Sequence, residues 1–460
     1  MSASLARHVH WTFKRLDDPA EALAYGSELA DFIGLTAPDP KQGRTVTGCL
    51  SRLREASWWR RNLHKHCQRQ IENSYRQIGH VHHKRCAYVS SHTYNLYQHC
   101  QKLSREYLLR TYLQSQDGVN LSLAEISDST IANPANRRAE LMTRVRGMEE
   151  YAQAHGQVGL FVTLTLPSEY HASLKEGHCN SKFNGSTPKQ GNKHLVGLWA
   201  SIRSKFHRDD IAPFGLRVVE PHHDGTPHWH LMLFVDQSQR DQIEEVFTNY
   251  VLKDGASPEL LPYRLKIVRI DPSRGTAAGY VAKYVSKNID GAGLDFDKEG
   301  RPFKDTASRI RAWASTWGIH QFDFIGGPPV GVWRELRRLS GMNTSGSMGS
   351  AIAAADEGDW FRFMEAMDLP QDCGGGFGVQ LMKAHTEAVN RRTGEVWSSL
   401  KNRYGEDLPA RVIGVCAGVL RQPTRLRHWL GTQFDPLKVI GLAGRQDGNP
   451  ISLSGHLGLV

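Results

Sequence analysis

The sequence predicts an α+β fold: a mainly antiparallel sheet flanked by helices, with a helical region before it and an accessory region after it. Three observations predict this. Apolar and aromatic residues recur every three or four positions from Arg44 to Gln114, which is helical spacing. Runs rich in β-branched and aromatic residues begin at Val158, the composition of strands. Two such runs flank a short segment holding the step Asp224-Gly225, which favours a tight reversal and therefore antiparallel neighbours.

Taken in order, Arg44 to Gln114 reads as helices of an N-terminal domain, 1–148. A helix from Arg137 to Ala154 is introduced by Asn133-Pro134 and stopped at Gly156. Val158 to Leu166 is a buried strand ending at Pro167. Phe214 to Glu220 and His228 to Val235 form the hairpin. Asp236 to Leu252 is helical, Tyr263 to Ile270 alternates as a strand, and Arg274 to Lys287 is a helix with an early Pro272 and Asp271 or Ser273 as its cap. Ala307 to Trp317 and Val330 to Leu339 extend a Trp-rich helical segment, closing a central domain at 149–340. Ser340 to Ser350 has the composition of a flexible linker, and 341–460 is an accessory region. The 460 residues exceed what one core holds, roughly 250–300 residues.

The net charge of +10 is uneven: Ser51 to Arg110 holds twelve Lys and Arg against three Glu. That basic stretch is the expected electrostatic footprint for a polyanion such as DNA. Seven cysteines, an odd number without a CxxC pair, speak against a disulfide framework. No apolar leader pattern opens the chain, and no run reaches the roughly 20 apolar residues of a membrane span. The expected setting is a reducing cytoplasm.

Chemistry concentrates in two places. His228 and His230 lie two apart in a strand, so both imidazoles project from one face toward a common ion. The preceding arm ends at Glu220, whose carboxylate the hairpin brings back beside them as a third ligand. His222 and His223, in the turn, are rival ligands. The expected ion is Mg²⁺ or Mn²⁺, a choice made from phosphate chemistry rather than from the ligands. The second place is the helix carrying Tyr280 and Tyr284, four apart and therefore on one face. A tyrosine phenolate attacks a phosphodiester in line and conserves the bond energy as phosphotyrosine. Lys283 and Lys287 lie within about 60° of that face, placed to lower the phenol pKa or to contact DNA phosphate.

These motifs resemble those of HUH endonucleases in their usual order: the strand Phe161 to Leu166, then His228-Trp229-His230, then Tyr280 and Tyr284. The text around them is similar to the replication gene A protein family of tailed bacteriophages and prophages. It comprises Glu220 to His230, Asn133-Pro134, Arg137-Arg138, Glu140-Leu141-Met142, Ala312-Trp313, Trp317-Gly318-Ile319 and Val332 to Leu336, and the likeness runs from about Trp58 to Arg338. The resemblance implies an HUH core and a rolling-circle initiator that nicks single-stranded or hairpin origin DNA. It implies that Tyr280 or Tyr284 stays on the 5′ phosphate and that the 3′ end serves as primer for a host helicase and DNA polymerase. His228 and His230 take the family's histidine positions; Glu220 as third ligand remains a geometric inference.

Other readings stand beside this one: a related HUH transposase or relaxase, a metal phosphodiesterase using water, and a non-catalytic DNA-binding protein with structural zinc. A departure from the family pattern, His64, His66 and Cys67 with His80, His82, His83 and Cys86, supplies candidate zinc ligands at irregular spacing.

Overall fold

The computed structural model describes residues 1–433, except 17, 43, 116–117, 175–176, 272, 274, 294–301, 343, 368–376, 386–387, 390–395, 398–400, 403 and 426–428. Contacts divide the chain into two compact units, Met1–Ser74 with Leu381–Gly414, and Tyr75–Gln380 with Val415–Val460. Among the described residues no helix is long and apolar enough to cross a membrane. The six described cysteines are all free, and Cys373 lies outside the described residues.

The first unit is built on α1 (Ser2–Phe13), α2 (Pro19–Phe32), α3 (Val46–Leu53) and α4 (Ala56–Gln77). Helix starts follow capping rules: the Asp18 carboxylate accepts from Ala20 N with Pro19 in the first turn, and the Thr45 hydroxyl accepts from Gly48 N. The helices close around Val9, Ala30, Leu50, Leu53 and Trp59. The buried Trp59 indole donates to Leu53 O at 2.7 Å, which satisfies its polar edge.

In the second unit α5 (Ser91–Arg110) leads into β1 (Thr111–Ser115) and β2 (Asn120–Ser122), then α6 (Leu123–Ser129) and α7 (Pro134–Ala154). The central sheet uses β3 (Gln157–Thr165), β4 (Phe214–Pro221), β5 (Pro227–Asp236), β6 (Leu265–Arg269) and β7 (Phe322–Ile325) in the order β6-β3-β5-β4-β7, with all neighbours antiparallel. The mixture of helix with antiparallel sheet fits the α+β expectation.

Residue alternation divides the sheet into two faces. Leu160, Val162, Leu164, Trp229, Leu231 and Leu233 pack against Leu195, Trp199, Ile202 and Phe206 of α8 (Pro188–Arg208) and Phe247 of α9 (Arg240–Lys253). Phe161, Thr163, Val218, Glu220, His228 and His230 occupy the other face by register: Thr163 pairs with His230, Val218 with His230, and Glu220 with His228. α11 (Ala277–Ile289) lies on this face, with Tyr284 against His230 and Asn288 against Glu220. Helices on both faces explain why β4 is buried along its whole length rather than alternating with water.

Four boundaries differ from the sequence expectation. The helical run expected to Gln114 stops at Arg110, where Thr111 turns extended and β1 begins. The strand expected from Tyr263 starts only at Leu265, because Leu261–Arg264 forms one helical turn, α10, with Pro262 in its first turn. The Arg264 guanidinium fixes that turn by donating to Thr165 O at 2.7 Å and Asp254 Oδ2 at 2.6 Å. The tyrosine helix is capped by neither Asp271 nor Ser273 but by Thr276, whose hydroxyl accepts from Gly279 N at 2.9 Å. After α12 (Phe303–Trp317) and α13 (Val330–Leu336), the expected linker is helical from Gly346, the start of α14 (Gly346–Glu357), which α15 (Trp360–Met367) follows. Burial of Met348, Ala351, Ile352 and Ala355 stabilises α14 despite its Gly and Ser content.

Candidate active site

Glu220 and His228 are direct cross-strand partners, and His230 is the diagonal neighbour on the same face. The pleat thus brings one carboxylate and two imidazoles together. Their ligand atoms converge: His228 Nε2 lies 2.9 Å from His230 Nε2, and Glu220 Oε2 lies 4.0 Å from the first and 3.7 Å from the second. Among the described residues this is the one group of three or more potential ligands that converges.

Neighbours orient each member. The Thr163 hydroxyl is 3.1 Å from His230 Nδ1, which leaves Nε2 to face Glu220. His222 packs its ring 4.1 Å from that of His228. The turn itself is locked by Asp224, whose carboxylate accepts from Ala172 N at 2.9 Å, Thr226 N at 3.0 Å and the Thr226 hydroxyl at 2.8 Å. Arg76 Nε donates to Asp224 O and the Trp313 indole to Gly225 O, each at 2.8 Å. Gly225 has φ +79°, which favours glycine, and an added Cβ would also be crowded by Tyr88 O at 3.0 Å.

Burial decides the charge states. Glu220 is only 2% exposed, and burial by itself would raise its carboxyl. The Lys287 ammonium at 3.2 Å, the His230 imidazole and the Asn288 amide outweigh this and hold it at about 2. Burial, followed by neighbouring imidazoles and Lys287, pushes His228 well below the usual imidazole range. A carboxylate beside two imidazoles, with His228 held neutral by burial, is the donor set of a divalent-cation site, and the pull of Lys287 toward Glu220 marks the spot as attractive to cations. The residues present therefore fit a metal ion.

The two tyrosines share an aromatic patch with this set. Tyr284 lies 4.4 Å from His230 between ring centroids, Phe161 stacks on both at 5.4 and 5.5 Å, and Tyr280 meets the edge of Phe161 at 4.5 Å. Tyr280 is 48% exposed, whereas Tyr284 is partly buried. Burial, then Glu220, then Tyr280 push the Tyr284 phenol up to about 12, the opposite of the lowering expected from Lys283 and Lys287. The reason is geometric: Lys287 turns to Glu220 and to the Tyr88 ring, and Lys283 is exposed.

Of the rival ligands, His222 sits behind His228 and His223 neighbours His83 and Tyr88; neither joins the converging trio. Among the described residues neither His64, His66 and Cys67 nor His80, His82, His83 and Cys86 form such a converging group. The sequence reading also missed Asn288. Its amide Nδ2 donates to Glu220 Oε1 and, at 2.7 Å, to Tyr284 O, while Gln321 Nε2 donates to its Oδ1 at 2.9 Å. The available signal was its spacing, one turn beyond Tyr284.

The basic stretch is less of a footprint than its count suggested. Arg52 makes a bidentate pair with Glu406 at 2.6 Å, Arg54 bonds His10, Arg76 is buried, and Arg105 pairs with Asp128 at 2.8 Å. Arg60, Arg61, Lys65, Lys84, Arg85, Lys102 and Arg110 remain exposed.

Comparison with known proteins places the chain in a family. Residues 32–292 match the model of the family described as "Bacteriophage replication gene A protein (GPA)". The chain is 40% identical over 336 residues to the replication gene A protein of Escherichia phage 186, covering 71% of this chain and 48% of that protein. It is 37% identical over 394 residues to that of Escherichia phage P2, covering 81% and 51%. A probable replication endonuclease from a prophage-like region of Escherichia coli O6:H1 is 34% identical over 332 residues, covering 71% and 40%. The chain spans about half the length of the curated relatives it matches. No solved structure matches it. With its matched span reaching from the basic helices through the tyrosine helix, the chain belongs to the bacteriophage replication gene A protein family.

Proposed function

We propose that this chain initiates phage rolling-circle replication as an HUH endonuclease, nicking one DNA strand and remaining attached to it through Tyr280 or Tyr284. One observation carries the reading: the Glu220, His228 and His230 ligand atoms converge on the sheet face where the Tyr284 ring lies 4.4 Å from that of His230. The relative named a replication endonuclease suits it.

Glu220, His228 and His230 would hold Mg²⁺ or Mn²⁺, which would supply Lewis-acid polarisation of the scissile phosphate. The tyrosine oxygen forms a bond to phosphorus as the P–O3′ bond breaks. The phenol proton passes to solvent, and the departing O3′ takes one up as the 3′ hydroxyl. Tyr284 at about 12 is protonated at neutral pH, so its proton leaves as the new bond forms rather than beforehand. A second tyrosine permits a second transfer without release of the strand. The freed 3′ end primes a host polymerase behind a host helicase, and exposed cations such as Arg60, Lys65 and Lys102 engage single-stranded or hairpin origin DNA.

The competing reading, hydrolysis by water at the same ligands, draws on the hard-to-ionise Tyr284. Both are tested by incubating the protein with Mn²⁺ and end-labelled single-stranded oligonucleotides of random sequence, then denaturing. Label that stays on the protein, and is lost in the variant carrying both Tyr280→Phe and Tyr284→Phe, is the expected result. Cleavage without attachment supports the hydrolase, and attachment that survives the double substitution rules out these tyrosines.

A further inference from the structure

The helix that carries both tyrosines is gripped at its two ends by one neighbour, α7. At its head, the Glu149 carboxylate accepts from Ala277 N at 2.6 Å with one oxygen and from Ala278 N at 3.0 Å with the other. The Thr276 hydroxyl takes Gly279 N, and Thr276 O takes Tyr280 N at 3.1 Å. The Ala277, Ala278 and Gly279 N–H groups, which no helical carbonyl reaches, are thereby satisfied, two of them by a side chain from another helix, and Tyr280 N makes the first ordinary bond of the helix. At the far end, Arg138 of α7 pairs with Asp290, the residue closing α11. Glu149 and Arg138 are eleven residues apart in α7, roughly 16 Å, close to the length of α11. The two helices run antiparallel, head to tail.

α7 is suited to act as a frame because it is itself fixed from its other sides. Glu140 forms a bidentate pair with Arg334 at 2.7 and 2.9 Å. The Arg144 guanidinium lies over the Phe324 ring of β7 at 3.3 Å. Gly147 admits α15 so closely that an added Cβ would lie 2.6 Å from Phe361 N. Glu149 is only 6% exposed, so its charge is not idling in solvent but directed at the head of α11, where a helix dipole favours an anion.

We propose that Glu149 is a positioning residue for the tyrosine nucleophiles. Holding both Ala277 N and Ala278 N fixes how far α11 slides along its axis and how it is rotated, and thereby where Tyr280 and Tyr284 stand relative to Glu220, His228 and His230. The inference rests on the proposed nicking reaction for its catalytic consequence, and on hydrogen bonding alone for its structural one. Glu149→Gln keeps the length and one acceptor oxygen but turns an NH₂ toward the second backbone N–H, so one of the two bonds is lost.

The test compares the wild-type chain, Glu149→Gln, and Glu150→Ala, which alters a half-exposed neighbour on the same helix paired with Arg146. Single-turnover attachment to random-sequence single-stranded oligonucleotides with Mn²⁺ should slow about 10- to 100-fold in Glu149→Gln, the scale of an ångström misplacement. Mn²⁺ affinity and oligonucleotide affinity should stay within twofold, and Glu150→Ala should match the wild type throughout. An unchanged attachment rate overturns the proposal. So does a parallel fall of rate, both affinities and thermal stability, which would mark Glu149 as structural. Amide hydrogen exchange at Ala277 to Tyr280 gives a readout that needs no nuclease activity: it should rise at least about tenfold in Glu149→Gln with β4 and β5 unchanged. If the wild type forms no adduct, the nicking reading fails, and unchanged exchange in the variant still refutes the grip separately.

Discussion

The β4–β5 hairpin and the tyrosine helix supply one site but are held by different means. The hairpin lies inside the sheet, with β3 pairing on one side and β7 on the other, and its turn is fixed by Asp224, Arg76 and Trp313. The tyrosine helix makes no backbone pairing with the sheet. It is tied by side chains, through Asn288 and Lys287 to Glu220 and through Glu149 and Arg138 to α7. The difference teaches that the proposed metal-binding trio is preset by backbone register, whereas the proposed nucleophiles are set by polar contacts and the buried face of Val281, Val285 and Ile289, and are the adjustable half.

Four measurements break or sharpen that comparison. The largest effect comes from His228→Ala together with His230→Ala, which should abolish both Mn²⁺ binding by calorimetry and strand attachment. Retained Mn²⁺ binding would mean that the hairpin is not the ion's seat.

Asp224→Ala attacks the lock rather than the ligands. With Ala172 N and Thr226 N left unpaired in a buried turn, and the Thr226 hydroxyl left to Tyr170 O, it should cost at least about 1–3 kcal/mol in denaturant unfolding. Mn²⁺ affinity should fall with it while exchange in α11 stays as it was. A variant as stable as wild type would show that the turn does not depend on this carboxylate.

Thr163→Val is finer still. Removing the hydroxyl from His230 Nδ1 frees the ring to rotate, and Mn²⁺ affinity should drop about tenfold, the usual cost of losing an outer partner of a ligating histidine. Affinity equal to wild type would leave packing against Phe161 as the orienting influence.

The smallest effect is one of pH in metal-free protein. The Glu220 carboxyl is held at about 2, below its ordinary value near 4.5, so its contribution is fully present above that ordinary value and is lost as pH falls toward about 2. Acidification through this window should release Lys287 and Asn288, raising amide exchange in α11 before that of β4 and β5. Simultaneous opening of both would erase the distinction between preset and adjustable halves.

Much of the candidate site was legible because local spacing carried it. Residues two apart in a strand share a face, and residues four apart in a helix share a face; His228 with His230 and Tyr280 with Tyr284 needed no more. Glu220 was legible one step further, because an antiparallel reversal around Asp224-Gly225 returns the chain to the residue that left it. Asn288 was not singled out, and Phe161 and Thr163 were read only as part of a strand motif, since nothing in their own neighbourhoods of the sequence assigns them contacts with His230. Likewise Tyr263 and Arg264 alternate like a strand, but the contacts of Arg264 with Thr165 and Asp254, far off in sequence, make a turn of helix instead.

By itself, then, the sequence determined the periodicities: which segments are helices or strands, which side chains share a face, and where a turn folds one strand on another. These are short-range properties of backbone geometry and side-chain sterics. Only the tertiary structure decided which shared faces meet, that Lys287 goes to Glu220 instead of a phenol, that burial raises Tyr284, and that Glu149 caps a helix begun 128 residues later. Desolvation and hydrogen bonding between distant segments exist only once the chain has packed, so no local pattern encodes them.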